Sequence, residues 1–234
     1  MEVKPPERNI QNMKKDLLIK NNFYHIYNRG VDKRIIFNNE MDYKRFIFSL
    51  FLFNDDNQNF IYPNKKNLDL QITNINNMKR KPLIDILQWT LMPNHFHLLV
   101  RQREEVGISQ FMQKLGTGYT LYFNNKQERT GRLFQGSFKA KLIETDSYLT
   151  QLAAYIVLNP IKLIFPNYKE KKLTESEYVQ ILQFLNDYKW SSYNDYFGKE
   201  ILSDLTNKDL FLNIFGGTTE DFKQYIIDNL KIGG

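Results

Sequence analysis

Apolar residues recur along this chain with two different periods, and the switches between them mark out the elements. From 23 to 29, FYHIYNR is rich in β-forming residues and closes at Gly30, which predicts a strand. EMDYKRFIFSLFLF, 40–53, places Tyr43, Phe46, Ile47, Leu50 and Phe51 at helical spacing. LIDILQWTLM (83–92) and HFHLLVRQ (95–102) are two further β-rich runs, hinged at Pro93 and Asn94 as in a hairpin. Over 106–127, Ile108, Phe111, Met112, Leu115, Tyr119 and Tyr122 fall in the apolar rows of a helix, with Ser109 as an early cap. RTGRLFQGSF (129–138) is punctuated by glycine and predicts a basic loop, and KAKLIE (139–144) predicts a fourth strand. SYLTQLAAYIVLN (147–159) predicts a helix that Asp146 or Ser147 caps and Pro160 stops.

The order strand, helix, strand, strand, helix, strand, helix predicts an α+β fold. It is a ferredoxin-like βαββαβ core, with an antiparallel sheet and two helices on one face. The other face is expected to stay open for a site or a partner. Residues 1–21 predict a polar N-terminal arm, 54–81 a loop or insertion, and 166–234 a mostly helical C-terminal extension with Gly216-Gly217 between its last two helices.

Composition narrows the chemistry. The chain has 234 residues, 42% hydrophobic, enough to bury a full core. Cysteine is absent, which excludes disulfides, thiolate zinc sites and cysteine nucleophiles, and fits a reducing cytoplasm. The first 22 residues are charged throughout where a signal peptide needs an apolar core, and no run is apolar enough to span a membrane. A net charge of +6 with 15% aromatic residues permits a nucleic-acid partner without assigning one.

Two of the three histidines stand at alternate positions of the strand at 95–102. Side chains on a strand alternate between faces, so His95 and His97 share a face while Phe96 and Leu98 share the other. Two imidazoles leave a metal site incomplete. A third donor is available on the helix at 147–159, where Tyr155 and Asn159 lie one turn apart on the same face. The Asn carbonyl is a hard ligand that would admit Mg or Mn and leave positions open for phosphate or water. His25 on the first strand is either a base or a structural group.

At these residues the chain resembles a known family. MPNHFHLL resembles the His-hydrophobe-His (HUH) signature of the single-tyrosine transposases, the type found in the smallest insertion sequences. TGRLFQGSFK followed by YLTQLAAYIVLNPIK is similar to later blocks of the REP-associated tyrosine transposase branch. YHIYNRG at 24–30 with EMDYKRF resembles the first strand and helix of that branch, and WSSYNDY at 190–196 a block past its catalytic helix. The blocks run from about 22 to 196 in the same order, and residues 54–81 and the last 38 or so lie outside the resemblance.

The resemblance implies a catalytic domain over 22–165 that cleaves and rejoins single-stranded, hairpin-associated DNA with a divalent metal. Tyr155 would be the nucleophile, forming a 5′-phosphotyrosine, and His95, His97 and Asn159 the metal ligands. Some relatives use Gln at the last position. DNA contacts are expected from two basic clusters, Arg29, Lys33 and Arg34 after the first strand, and Arg129, Arg132, Phe134, Phe138, Lys139 and Lys141 in the glycine-rich loop and fourth strand. The protein is expected to act as a monomer or homodimer away from membranes. A DNA-binding module without catalysis, or a metal-dependent nuclease that activates water, would use many of the same residues.

Overall fold

The computed structural model describes residues 18–56, 80–170, 172–198 and 205–231. Most of the expected N-terminal arm and of the 54–81 segment lies outside the described residues. Four strands form one antiparallel sheet: β1 (Phe23–Arg29), β2 (Ile84–Met92), β3 (His95–Gln102) and β4 (Lys139–Leu142), in the spatial order β2-β3-β1-β4. That order, with helices α1 (Glu40–Leu52) and α2 (Gly107–Lys126) as the crossovers, is the ferredoxin-like arrangement.

Local chemistry accounts for these elements. Asn39 accepts a hydrogen bond from the Asp42 N–H, and the Asp42 carboxylate in turn accepts from the Asn39 N–H, a reciprocal capping box that starts α1. Gly30, where β1 turns away, is required by space, because a Cβ there would lie 2.4 Å from the Arg34 carbonyl oxygen. Helix α2 begins at Gly107 without a side-chain cap, so Ser109 lies within its first turn rather than ahead of it.

The sheet has two apolar faces, and each carries its own core. Tyr24 and Ile26 of β1, Ile84, Ile86, Trp89 and Leu91 of β2, and Phe96, Leu98 and Val100 of β3 pack against α1 and α2. On the reverse face Leu87 and Leu99 meet helix α3 (Asp146–Leu158) and the C-terminal helices α4 (Glu175–Asp187), α5 (Tyr193–Phe197), α6 (Lys208–Leu212) and α7 (Thr219–Lys231). Ile181, Leu185, Tyr196, Phe211, Phe215, Phe222 and Ile226 make this second core. The expectation of an open second face is therefore corrected. Apolar residues on both faces of β2 and β3 need cover, and the helices after 145 supply it.

The segment WSSYNDY closes the outer edge of the sheet. Leu91 N–H donates to the Trp190 carbonyl and Ser192 N–H to that of Trp89, while the Tyr188 hydroxyl donates to the Leu91 carbonyl at 2.6 Å. Unpaired edge groups of β2 are satisfied in this way, and all nine of its residues are buried. Asp85, at 5% exposure, joins the same edge to α6 by pairing with Arg101 and Arg103 and accepting from Asn207, the α6 N-cap. Among the described residues no helix is long and apolar enough to cross a membrane.

Candidate active site

Three elements of the sheet's second face build the site. His25 and Tyr27 on β1, and His95 and His97 on β3, project from that face, with Arg29 directly across from His95 and Tyr27 across from His97. Helix α3 crosses above them and contributes Tyr155. Thr145, not Asp146 or Ser147, is its N-cap, accepting from the Tyr148 N–H at 3.2 Å. At its C-terminal end the helix tightens into a 3-10 turn, Asn159–Leu163, with Pro160 in the first positions, where a missing N–H costs no bond. That turn carries Asn159 into the site.

The four residues expected at the centre do converge. The Tyr155 ring lies 5.3 Å from that of His97 and 6.3 Å from that of His25, edge-on to both, and the His95 and His97 rings are 5.1 Å apart. Asn159 is 2% exposed and close enough to act on both His95 and Tyr155, yet it is not in hydrogen-bonding geometry with either. Both polar atoms of its amide, and Nε2 of His97, are buried without a partner. Buried polar atoms are ordinarily bonded, so these three point to a group that the site takes up. Among the described residues no three His, Cys, Asp or Glu side chains converge on a metal position. Two imidazoles and the Asn159 carbonyl fit a hard divalent ion that keeps open positions, and a carboxylate-rich cage is absent from this set.

The electrostatics are those of a buried, positively charged pocket. Burial, helped by Lys141, lowers His25 to about 4, and burial with the Arg29 charge lowers His95 to about 4. His97 is pushed further down by burial and by the neighbouring imidazoles. All three rings are thus neutral near pH 7, the form in which imidazole ligates a metal. Burial raises the Tyr155 phenol above its usual range, opposed by the Asn159 amide and the Arg29 charge. In metal-free protein these imidazoles must stay neutral to fold, whereas the unfolded chain protonates them near pH 6.5. Their contribution is therefore present above about pH 6.5 and lost as pH falls toward 4, on the order of 1–2 kcal/mol per imidazole by pH 5. Thermal unfolding followed by circular dichroism should give a clearly lower Tm at pH 5 than at pH 7 in the presence of chelator; an unchanged Tm would contradict the buried-neutral assignment.

The expected DNA-contacting residues divide into three groups. Arg29, and Lys139 and Lys141 on β4, share the site's face, since Lys139 pairs with Tyr27 and Lys141 with His25 across the strands. Lys33 and Arg34 lie on the turn that meets Pro93 and Asn94, with Gly30 N–H donating to the Asn94 carbonyl and Ile36 N–H to that of Pro93. The loop residues belong elsewhere. Arg132 lines a cleft of about 610 Å³ between α2 and the loop, together with Phe96, on the opposite side of the sheet from Tyr155. Arg129 holds that loop in shape, donating to the Asn124 side chain and the Arg132 carbonyl.

One aromatic residue of the loop needs correcting. Phe134 is only 8% exposed, bridges to Gly30 and packs its ring edge-on to Phe96 in the first core, so it is not presented for base stacking. Phe138 is half-buried against the same core. Sequence reasoning missed Lys162 and Lys169, whose ammonium groups lie 5.4 and 5.7 Å from the Tyr155 ring. Lys162 stands one turn past Asn159 in the 3-10 segment, a spacing that was legible in NPIK; Lys169 comes from the following turn and left no such signal.

Residues 57–159 match the family model described as IS200-like transposase. Over that segment, less than half of the chain, the sequence is similar to that family. The IS200-like match begins inside the 54–81 stretch that the sequence reading left outside the resemblance, and it ends on Asn159, so it contains His95, His97 and Tyr155 but not β1. No curated protein matches the chain. A solved structure of a REP-associated tyrosine transposase bound to a REP hairpin is similar over 85% of this chain and 88% of that one, with 10% identity and a TM-score of 0.46.

Proposed function

We propose that the chain is a metal-dependent transposase of the HUH type that cleaves and rejoins single-stranded, hairpin-associated DNA through Tyr155, as the REP-associated branch that its sequence blocks resemble does. The observation that carries this reading is the meeting of His95, His97, Tyr155 and Asn159 on one sheet face, with unpartnered buried atoms on His97 and Asn159. An isolated DNA-binding module has no use for that constellation.

His95, His97 and Asn159 would hold a Mg or Mn ion, which would neutralise charge at a scissile phosphate. The chain's own residues do the rest. Tyr155 Oη attacks phosphorus, the bond from phosphorus to the 3′ oxygen breaks, and the phenol's proton is balanced by the one gained at the 3′-hydroxyl. A 5′-phosphotyrosine results, and because its phosphodiester energy is retained, a second 3′-hydroxyl can reverse the step and join strands. Arg29, Lys162 and Lys169 surround the ring and offset the negative charge that the phosphate brings into a buried pocket. Burial of the phenol disfavours its anion in the free protein, so the nucleophile forms only when cations and substrate are in place.

The test is cleavage of single-stranded hairpin DNAs with Mg or Mn and with chelator. Metal-dependent nicking of single strands and not of duplex is expected; no cleavage across a broad hairpin library contradicts the proposal. The lysines give a second check. Lys162→Ala with Lys169→Ala should weaken single-strand binding and reduce the slope of log affinity against log salt by about 1–2. An unchanged slope removes them from the phosphate path.

A further inference from the structure

We propose that His25 is a positioning residue for His97, whose acceptor nitrogen fixes the tautomer that leaves the His97 Nε2 lone pair free for a metal ion. The inference rests on the reading that His95 and His97 hold that ion. His25 comes from β1, outside the segment that matches the IS200-like transposases.

The geometry of His95 supplies the pattern. Asn94 donates from Nδ2 to the Lys33 carbonyl at 3.1 Å, which orients its amide, so its Oδ1 is the atom that faces His95 Nδ1 at 2.6 Å. A carbonyl oxygen only accepts, so the His95 proton sits on Nδ1 and the lone pair on Nε2. His97 has the same arrangement with a different acceptor. Its Nδ1 lies 2.8 Å from His25 Nε2, the two rings are stacked 5.0 Å apart, and its Nε2 is buried with no partner.

A neutral imidazole has one donor and one acceptor nitrogen, so the single proton between His25 and His97 can lie on either side. With the proton on His97 Nδ1, Nε2 carries a lone pair and can ligate. With it on His25 Nε2, His97 carries Nε2–H, an unsatisfied buried donor that cannot bind a cation. Only the first state matches His95, and it requires His25 to accept. Both rings are more than nine-tenths buried, at 8% and 6% exposure, so water does not substitute for the acceptor.

The experiment measures Mn binding to the full chain by calorimetry, without DNA, for wild type, His25→Phe and His25→Gln, alongside long-range 1H–15N correlation of the imidazoles. Phe keeps a ring of similar size and removes the acceptor; Gln restores a carbonyl acceptor. The expected result is a His97 Nδ1–H tautomer in wild type, Mn affinity lowered about 10–100-fold in His25→Phe, and recovery in His25→Gln. Wild-type affinity in His25→Phe overturns the inference alone, whereas no Mn binding by wild type overturns the metal reading beneath it. A His97 Nε2–H tautomer in the wild-type chain overturns the inference whether or not either variant folds.

Discussion

Tyr155→Phe should lower DNA cleavage by about 10³-fold or more while leaving the fold and single-strand binding close to those of the parent protein. The substitution removes one oxygen. Tyr155 is half-buried beside the second core, its ring contacts His97 and His25 edge-on, and Phe preserves the ring and those contacts. What it loses is the only hydroxyl that α3 carries into the site from between the two metal-side histidines and the lysine pair. A stability change under about 1 kcal/mol is expected, since the apolar packing is retained. Cleavage assays under single turnover, with circular dichroism as the folding control, test this. A residual rate within tenfold of the parent would assign the nucleophile to water and leave Tyr155 a packing role.

His97→Ala should abolish Mn binding in the range where the parent saturates and reduce cleavage by at least about 10²-fold, a loss that added metal restores only in part. The effect is larger than for the neighbouring positions because this ring is central. It is 6% exposed, it shares a hydrogen bond with His25 of β1, and it presents the unpartnered nitrogen. Removing it also leaves His25 Nε2 buried without a partner, at a cost of about 1–3 kcal/mol in stability. His95→Ala, at a half-buried ring bonded to Asn94 rather than to another strand, should lose metal with a smaller drop in Tm. Parent-like Mn affinity in His97→Ala would remove this strand from the metal site.

Much of this arrangement was legible before the fold was known. The register of β3 was readable because its bounding turn and its alternation agree: Pro93-Asn94 ends the hairpin, and His95, His97 and Leu99 then necessarily share a face. The helical pairing of Tyr155 with Asn159 was readable from spacing, although the helix gives way to a 3-10 turn at Asn159 itself. What spacing could not supply was the side of the sheet on which α3 lies. Leu87 and Leu99 fall in runs that are apolar on both faces, and such runs carry no inside-outside signal. Only the apolar stripes of the last four helices, which demand a surface to cover, imply the second core.

Phe134 was misread for a related reason. In RLFQG the glycines and the flanking charge suggest an exposed loop, but the chain there bridges to Gly30 and turns Leu133 and Phe134 inward, both at 8% exposure or less. Loops of this kind bury residues through tertiary pairing that local composition does not encode. The same holds for His25. Its partner lies 72 positions away, and only the strand register that pairs β1 with β3 brings the two imidazoles to 2.8 Å.

The most direct measurement for the whole account is capture of the protein–DNA bond. Single-stranded hairpin DNA labelled separately at each end is incubated with the protein and Mn, then run under denaturing conditions, with Tyr155→Phe and chelator as controls. The account predicts a protein-sized band carrying only the 3′-side fragment, joined through its 5′ phosphate, lost in the variant and with chelator, and mapped by mass spectrometry to the peptide containing Tyr155. Metal-dependent cleavage with no attached fragment, or attachment that survives Tyr155→Phe, would contradict it.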